Sequence, residues 1–184
     1  MKKSIVIYKS KYGYTKKYAA WIAEELEAEL KDVSEIKTSE LSPYDLIIYG
    51  GGLYAGGVSG LSFLKKSFSQ IKDKQVVLFT VGVANTQDEE NIKTIRKSLS
   101  RALTPEMQDK IELFHLRGGI DYPRLNFIHR IMMSMLVKML RRKAQSEIRA
   151  EDRLMIETYG QVIDFTNKDD IYPIVEQIKL YTGN

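Results

Sequence analysis

The 184-residue chain has no cysteine, which excludes disulfides, thiolate metal sites and a cysteine nucleophile. Its only two histidines, His115 and His129, lie far apart in sequence. Metal ligands are therefore scarce, no metal site is expected, and neither histidine is assigned a role. No Gly-Lys-Ser/Thr follows any glycine run, so a Walker loop and nucleoside triphosphate chemistry are excluded. Internal repeats and low-complexity segments are lacking as well. Only a handful of apolar residues separate Met1-Lys2-Lys3 from Lys9 and Lys11, too few for a signal peptide, and the expected location is the cytoplasm. What remains is ordinary for one globular domain over 1–184: 43% apolar and 28% charged residues, enough for a single substantial core.

The most informative stretch is at the start. Ile5-Val6-Ile7-Tyr8 is a short apolar run that opens onto Ser10-Lys11-Tyr12-Gly13-Tyr14-Thr15, and a helical pattern follows. A buried strand feeding a turn of hydroxyls and glycine, with the unpaired N–H groups and positive dipole end of a helix behind it, is a cradle for phosphate. A plain turn with Thr15 as N-cap is the competing reading. The spacing resembles the phosphate loop of flavodoxins, Ser/Thr-x-Thr-Gly-x-Thr, which grips the phosphate of FMN, although Tyr12 stands where flavodoxins usually place threonine.

Periodicity gives the rest of the frame. Residues 16–30 carry Tyr18, Ala19, Ile22, Ala23, Leu26 and Leu30 at helical spacing. A weak strand is expected over Val33–Ile36, and Leu46-Ile47-Ile48-Tyr49 reads as a strand buried on both faces. Helix is expected over Leu61–Phe68, strand over Val76–Phe79, helix over Glu89–Leu103, strand over Ile111–Leu116, and a final helix over Asp169–Tyr181. This alternation predicts an α/β fold, a flavodoxin-like doubly wound parallel sheet of five strands in the order 2-1-3-4-5.

Ligands of such sheets bind beyond the carboxyl ends of the strands. Four loops there are rich in glycine or small residues: Ser10–Thr15, Gly50–Gly57, Thr80–Asn85 and Arg117–Tyr122. The candidate FMN contacts are accordingly Ser10, Lys11, Tyr12, Gly13, Tyr14 and Thr15 for the phosphate. For the ring they are Gly52, Leu53, Tyr54, Ala55, Gly56, Val83, Ala84, Asn85, Gly118, Gly119 and Asp121. Glycine lets backbone amides approach a flat ring, and Tyr54 or Tyr122 can stack on its face. Gly50-Gly51-Gly52-Leu53-Tyr54-Ala55 also fits the loose dinucleotide pattern, but after the wrong strand for a Rossmann fingerprint.

An insertion is expected at about 121–165. Its segment Pro123–Lys143 is apolar nearly all round, with four methionines (Met132, Met133, Met135, Met139), basic ends and no acid. It is cut by Arg130 and Lys138 and is too short to span a bilayer. One reading is a helix packed over the domain with methionines filling gaps. The other is a surface adaptable to a large apolar ligand, with arginines for carboxylates or anionic lipid head groups.

The flavodoxin-like first half, together with Gly118-Gly119, Tyr122-Pro123-Arg124 and the basic methionine helix, looks like the menaquinone-dependent protoporphyrinogen IX dehydrogenases, flavodoxin-fold enzymes of haem synthesis. That resemblance implies FMN as cofactor, a porphyrinogen substrate, a quinone acceptor, and Tyr122, Pro123 and Arg124 on the substrate side. The net charge of +4 and pI near 9.0 suit an anionic membrane surface, contacted peripherally, and carboxylated substrates better than the acidic docking of electron carriers. No nucleic-acid-binding pattern accompanies the charge. The alternatives are an electron carrier of flavodoxin type without its own substrate, and an interaction module that has lost its cofactor.

Overall fold

The computed structural model describes residues 3–54 and 56–182. Along the chain run β1 (Ser4–Lys9), α1 (Tyr14–Glu25), β2 (Glu29–Asp32), β3 (Leu46–Tyr54), β4 (Gly57–Val58), α2 (Leu61–Ile71), β5 (Gln75–Gly82) and α3 (Glu89–Ala102). They are followed by α4 (Pro105–Lys110), β6 (Ile111–Arg117), β7 (Gly119–Asp121), α5 (Phe127–Leu140), α6 (Ala150–Glu157), β8 (Val162–Asp164) and α7 (Tyr172–Thr182).

The long strands pair in parallel in the order β2-β1-β3-β5-β6, the expected 2-1-3-4-5 when these five alone are counted. The short β4, which the sequence pattern does not announce, folds back antiparallel on the end of β3.

Alternation along each strand builds two cores. Ile5, Ile7, Ile47, Tyr49, Val76 and Leu78 face α2, α3 and α4 through Leu64, Phe68, Leu99 and Met107. Val6, Tyr8, Leu46, Ile48, Val77 and Phe79 face α1 and α7 through Tyr18, Ile22, Ile174 and Ile178. A period of two with apolar residues at every position can be satisfied only by helices on both faces, which is why these strands read as unbroken apolar runs. Each fully buried side chain of this size contributes roughly 1.5–3 kcal/mol relative to exposure.

Three expectations need correction. The helix over 16–30 ends at Glu25, because Glu27 adopts a left-handed conformation (φ 50°) that turns the chain; Leu30 then falls on β2 beside Val6. The second strand is Glu29–Asp32 rather than Val33–Ile36. Residues Val33–Glu35 form a 3-10 turn instead, whose N-cap Asp32 accepts from the Ser34 N–H. Finally, Gly50, Gly51 and Gly52 belong to β3 rather than to a loop. A side chain at Gly50 would collide with the Phe79 ring and one at Gly51 with Val58, so these glycines let neighbouring side chains pack across the strand.

Beyond β6 the chain leaves the sheet. β7 and β8 pair antiparallel, Gly119 opposite Asp164 and Asp121 opposite Val162, and close off an excursion from Tyr122 to Gln161. That excursion has a small core of its own, in which Ile120, Tyr122 and Leu125 pack against Tyr12, Val83, Met133, Tyr159 and Ile163. It is braced internally by the Lys143–Asp152 ion pair at 2.8 Å and tied down by Glu151, which accepts from the Asn85 N–H at 2.7 Å and from the Asn91 side-chain amide. Among the described residues no helix is long and apolar enough to cross a membrane.

Candidate functional site

The ends of β1, β3, β5 and β6 converge on one cleft with about 660 Å3 of empty space, its open mouth included. It is lined by Tyr12 from the first loop and Tyr14 and Thr15 at the start of α1, Leu53 and Tyr54 from the end of β3, Val81 and Gly82 at the end of β5 with Val83 after it, and Gly118–Ile120 after β6. The fifth wall comes from the excursion: Leu125, His129, Met132 and Met133.

The first loop is built for an anion. Gly13, at φ 98°, is the N-cap of α1 and makes no side-chain cap bond. This left-handed turn favours glycine, and it aims the free N–H groups of the helix start toward the loop. The Ser10 hydroxyl accepts from the Gly13 N–H at 3.0 Å and holds the turn. Thr15 is therefore not the N-cap but sits buried in the first turn. Burial pushes the Tyr54 phenol up, and the nearby backbone amides of Lys11 and Tyr12 pull the other way. With its amides turned toward an oxygen and the start of α1 uncapped by any side chain, the residues present fit a phosphate.

Aromatic rings close the cleft. Tyr54 stacks on His129 with centroids 5.3 Å apart and meets the edge of Tyr12 at 5.7 Å. The Tyr12 hydroxyl and His129 Nδ1 share a 2.7 Å hydrogen bond. Burial and the nearby Lys11 ammonium hold the His129 imidazole below its ordinary value. Tyr14 reaches past the cleft, its hydroxyl donating to the Ile163 carbonyl at 3.2 Å, and so ties α1 to β8.

Of the residues expected from sequence, Tyr12, Tyr14, Thr15, Leu53, Tyr54, Val83, Gly118 and Gly119 meet at this cleft. Ser10, Lys11 and Gly13 shape the loop behind it. Gly52 is covered by the folded-back Tyr54 ring; Gly56 lies beyond the β3 end against Ser98. Ala55 lies outside the described residues. Ala84 and Asn85 do not line the cleft, Asn85 being engaged by Glu151 and Asn91. Asp121 caps the turn Tyr122–Arg124. Tyr122, expected beside a substrate, is buried inside the excursion against Tyr159, while Pro123 and Arg124 are exposed away from the cleft lining.

His129 was the residue the pattern passed over. Its signal was available: His129, Met133, Val137 and Leu140 recur at four, eight and eleven positions, which marks the inward face of α5. Among the described residues no cluster of three or more His, Asp or Glu side chains could hold a metal ion.

A parallel sheet of this order, with an anion-ready loop at the point where strand order reverses, defines a ligand-binding protein of the doubly wound α/β class. More narrowly, the chain belongs to the flavodoxin-domain family, whose model matches residues 5–147. It is 24% identical over 144 residues to a protoporphyrinogen IX dehydrogenase [quinone] of Leishmania major, covering 74% of this chain and 62% of that protein. The chain thus spans less than two thirds of that relative. It is 19% identical over 144 residues to the protein of the same name from Escherichia coli K12, covering 74% of this chain and 80% of that one. Among solved structures, a WrbA-like flavodoxin from Agrobacterium tumefaciens overlays 96% of this chain and 99% of its own at 19% identity, with a TM-score of 0.44.

Proposed function

We propose that the chain is an FMN-dependent oxidoreductase that takes electrons from a porphyrinogen and delivers them to a quinone. The observation that carries this reading is the composition of the cleft. One side is a phosphate-ready loop of the flavodoxin-domain family; the other is a segment absent from a bare doubly wound sheet, presenting Leu125 just before α5 and Met132 and Met133 on it. A carrier that only docks on redox partners has no use for an apolar wall of this kind beside its cofactor.

The loop Ser10–Thr15 holds the phosphate, with the α1 N-terminus supplying N–H donors and the positive end of its dipole. Leu53, Tyr54, Val83, Gly118 and Gly119 border the ring. When bound, FMN supplies reversible acceptance of a hydride equivalent. The protein's contribution is to exclude water with Tyr12, Tyr54 and the methionines, and to leave a polarisable apolar surface against which a large flat substrate can lie. The names of the two dehydrogenase relatives support the substrate and acceptor classes, and the basic character of the chain suits carboxylated substrates.

The test is anaerobic. Purified protein loaded with FMN is given protoporphyrinogen and a menaquinone analogue, and protoporphyrin fluorescence is followed. Enzyme-dependent fluorescence that requires the quinone is expected. A yellow, flavin-replete protein that produces none would overturn the substrate assignment and leave the carrier; a protein that retains no FMN would overturn both.

A further inference from the structure

The outer face of α5 has no partner in the fold. Ile128 is 65% exposed, Met135 66% and Met139 56%, and Ile131 and Met132 are exposed beside them. These five residues stand at three, four, seven and eleven positions after Ile128, so they form one continuous apolar stripe along the helix. Lys138 runs along its flank and Arg142 closes its C-terminal end, while Arg130 and Arg141 stand further round the helix, the Arg130 guanidinium donating to the Pro123 and Leu125 carbonyls; all four are exposed. Among the described residues, no ion pair engages any of the four. No acid occurs from Pro123 to Lys143.

We propose that α5 is a membrane-docking helix, laying its Ile/Met stripe into the interfacial region of an anionic lipid bilayer while Lys138 and Arg142 engage the head groups. A helix apolar on one face and cationic beside it is the arrangement that binds such surfaces. A second copy of the chain is disfavoured: a two-fold contact on this face would bring like charges together with no acid on either helix to offset them. The stripe also lacks tyrosine, tryptophan and a counter-charge to fix register, so it suits a fluid surface better than a shaped one. Met132 is both exposed on the stripe and part of the cleft wall, so docking sets the mouth of the cleft against the bilayer. A lipid-dissolved ligand then enters without crossing water. The docking itself does not rest on the flavin reading; only this last consequence does.

Flotation with vesicles tests it. Protein is mixed with vesicles of phosphatidylcholine alone or of phosphatidylcholine with phosphatidylglycerol, and the bound fraction is measured, with flavin absorbance recorded separately so that loss of cofactor is not mistaken for loss of docking. Binding to the phosphatidylglycerol vesicles is expected, weakening as salt screens the head groups. The pair Met135→Gln/Met139→Gln and the pair Lys138→Glu/Arg142→Glu should each lower it by about tenfold or more. Lys65→Glu/Lys66→Glu, exposed on α2, should leave it nearly unchanged. Hydrogen exchange on the unmodified protein gives a readout free of folding effects, since vesicles should slow exchange on α5 and not on α2. Absent vesicle binding, equal loss in the α2 pair, unaltered exchange on α5, or a dimer in light scattering that the α5 pairs dissolve would each overturn the proposal.

Discussion

The parallel sheet and the excursion from Tyr122 to Gln161 are held together by different means, and the cleft lies where they meet. In the sheet, Ile5, Val6, Ile7, Ile47, Ile48, Val77, Leu78 and Phe79 are wholly inaccessible, packed between helices on both faces. The excursion buries only a handful of side chains, around Ile120, Tyr122 and Leu125. It is attached by discrete polar contacts: Tyr12 to His129, Glu151 to Asn85, Arg149 to Asp88 and, at its β8 end, Tyr14 to Ile163. A phosphate grip built on the sheet inherits its rigidity. A cleft wall built on the excursion can move by breaking a few bonds, and the least stable parts of a protein are where such motions are drawn from.

The largest effect should come from attacking the sheet. Ile48→Ala deletes buried methyl groups between α1 and the neighbouring strands and should cost about 2–5 kcal/mol in a urea melt. Leu125→Ala, in the smaller cluster, should cost less than that, because its surroundings can collapse onto the space. Equal losses would mean that sheet and excursion unfold as one unit and the contrast drawn here is wrong.

This contrast also governed what the sequence disclosed. Sheet strands such as Leu46–Tyr49 and Val76–Phe79 stood out because burial on both faces demands unbroken apolar runs, and the loop after the first strand stood out because an anion site needs small and hydroxyl residues in a fixed place. Gly50–Gly52 misled for the same reason: glycine that admits a neighbour's ring into a strand looks like glycine that admits a ligand. Glu29–Asp32 was missed because an edge strand with polar side chains has no apolar alternation to detect, its position being set by pairing with Ile5–Tyr8. The excursion was legible as an apolar basic helix, but its attachment was not. Whether Tyr122 points to a substrate or into a local core depends on Tyr159, thirty-seven residues downstream, and the β7–β8 pairing joins residues that periodicity treats separately. His129 went unassigned because its partners, Tyr12 and Tyr54, are distant in sequence.

A second way to sharpen the comparison is to loosen the hinge. A methyl at Gly119 would run into the Ile163 carbonyl and the Tyr14 ring, so Gly119→Ala should push β7 from β8 at a cost of about 1–3 kcal/mol. Limited proteolysis should then cut between residues 122 and 161 while the sheet still melts cooperatively. A variant as resistant as the parent would show that the excursion is anchored elsewhere.

Tyr12→Phe probes the seam directly. It keeps the ring against Tyr54 and removes only the hydroxyl, which is shared with His129 and accepts from the Asn126 N–H, so about 1 kcal/mol of docking should be lost. The loss should appear as faster hydrogen exchange on α5, with strand amides unaffected. Faster exchange in the strands as well would place Tyr12 in the support of the whole fold.

The smallest effect should be that of pH on the same seam. The folded His129 lies below its ordinary value, because of burial and then Lys11, so an undocked imidazole takes up a proton before a docked one. The docking contribution is thus complete above the ordinary histidine value of about 6.5 and declines as pH falls from there toward the depressed folded value. Exchange on α5 should quicken on acidification through this window, and by less than Tyr12→Phe produces, since the ring is only partly buried. His115 titrates in the sheet and is held down to about 4 by burial and then by Arg96. It gives global stability a decline of the same sign, separable because it registers in the urea melt rather than on α5. If His129→Gln leaves the acid-induced exchange on α5 in place, the seam's pH dependence belongs to another group, and the sheet and excursion are coupled through more than the Tyr12–His129 contact.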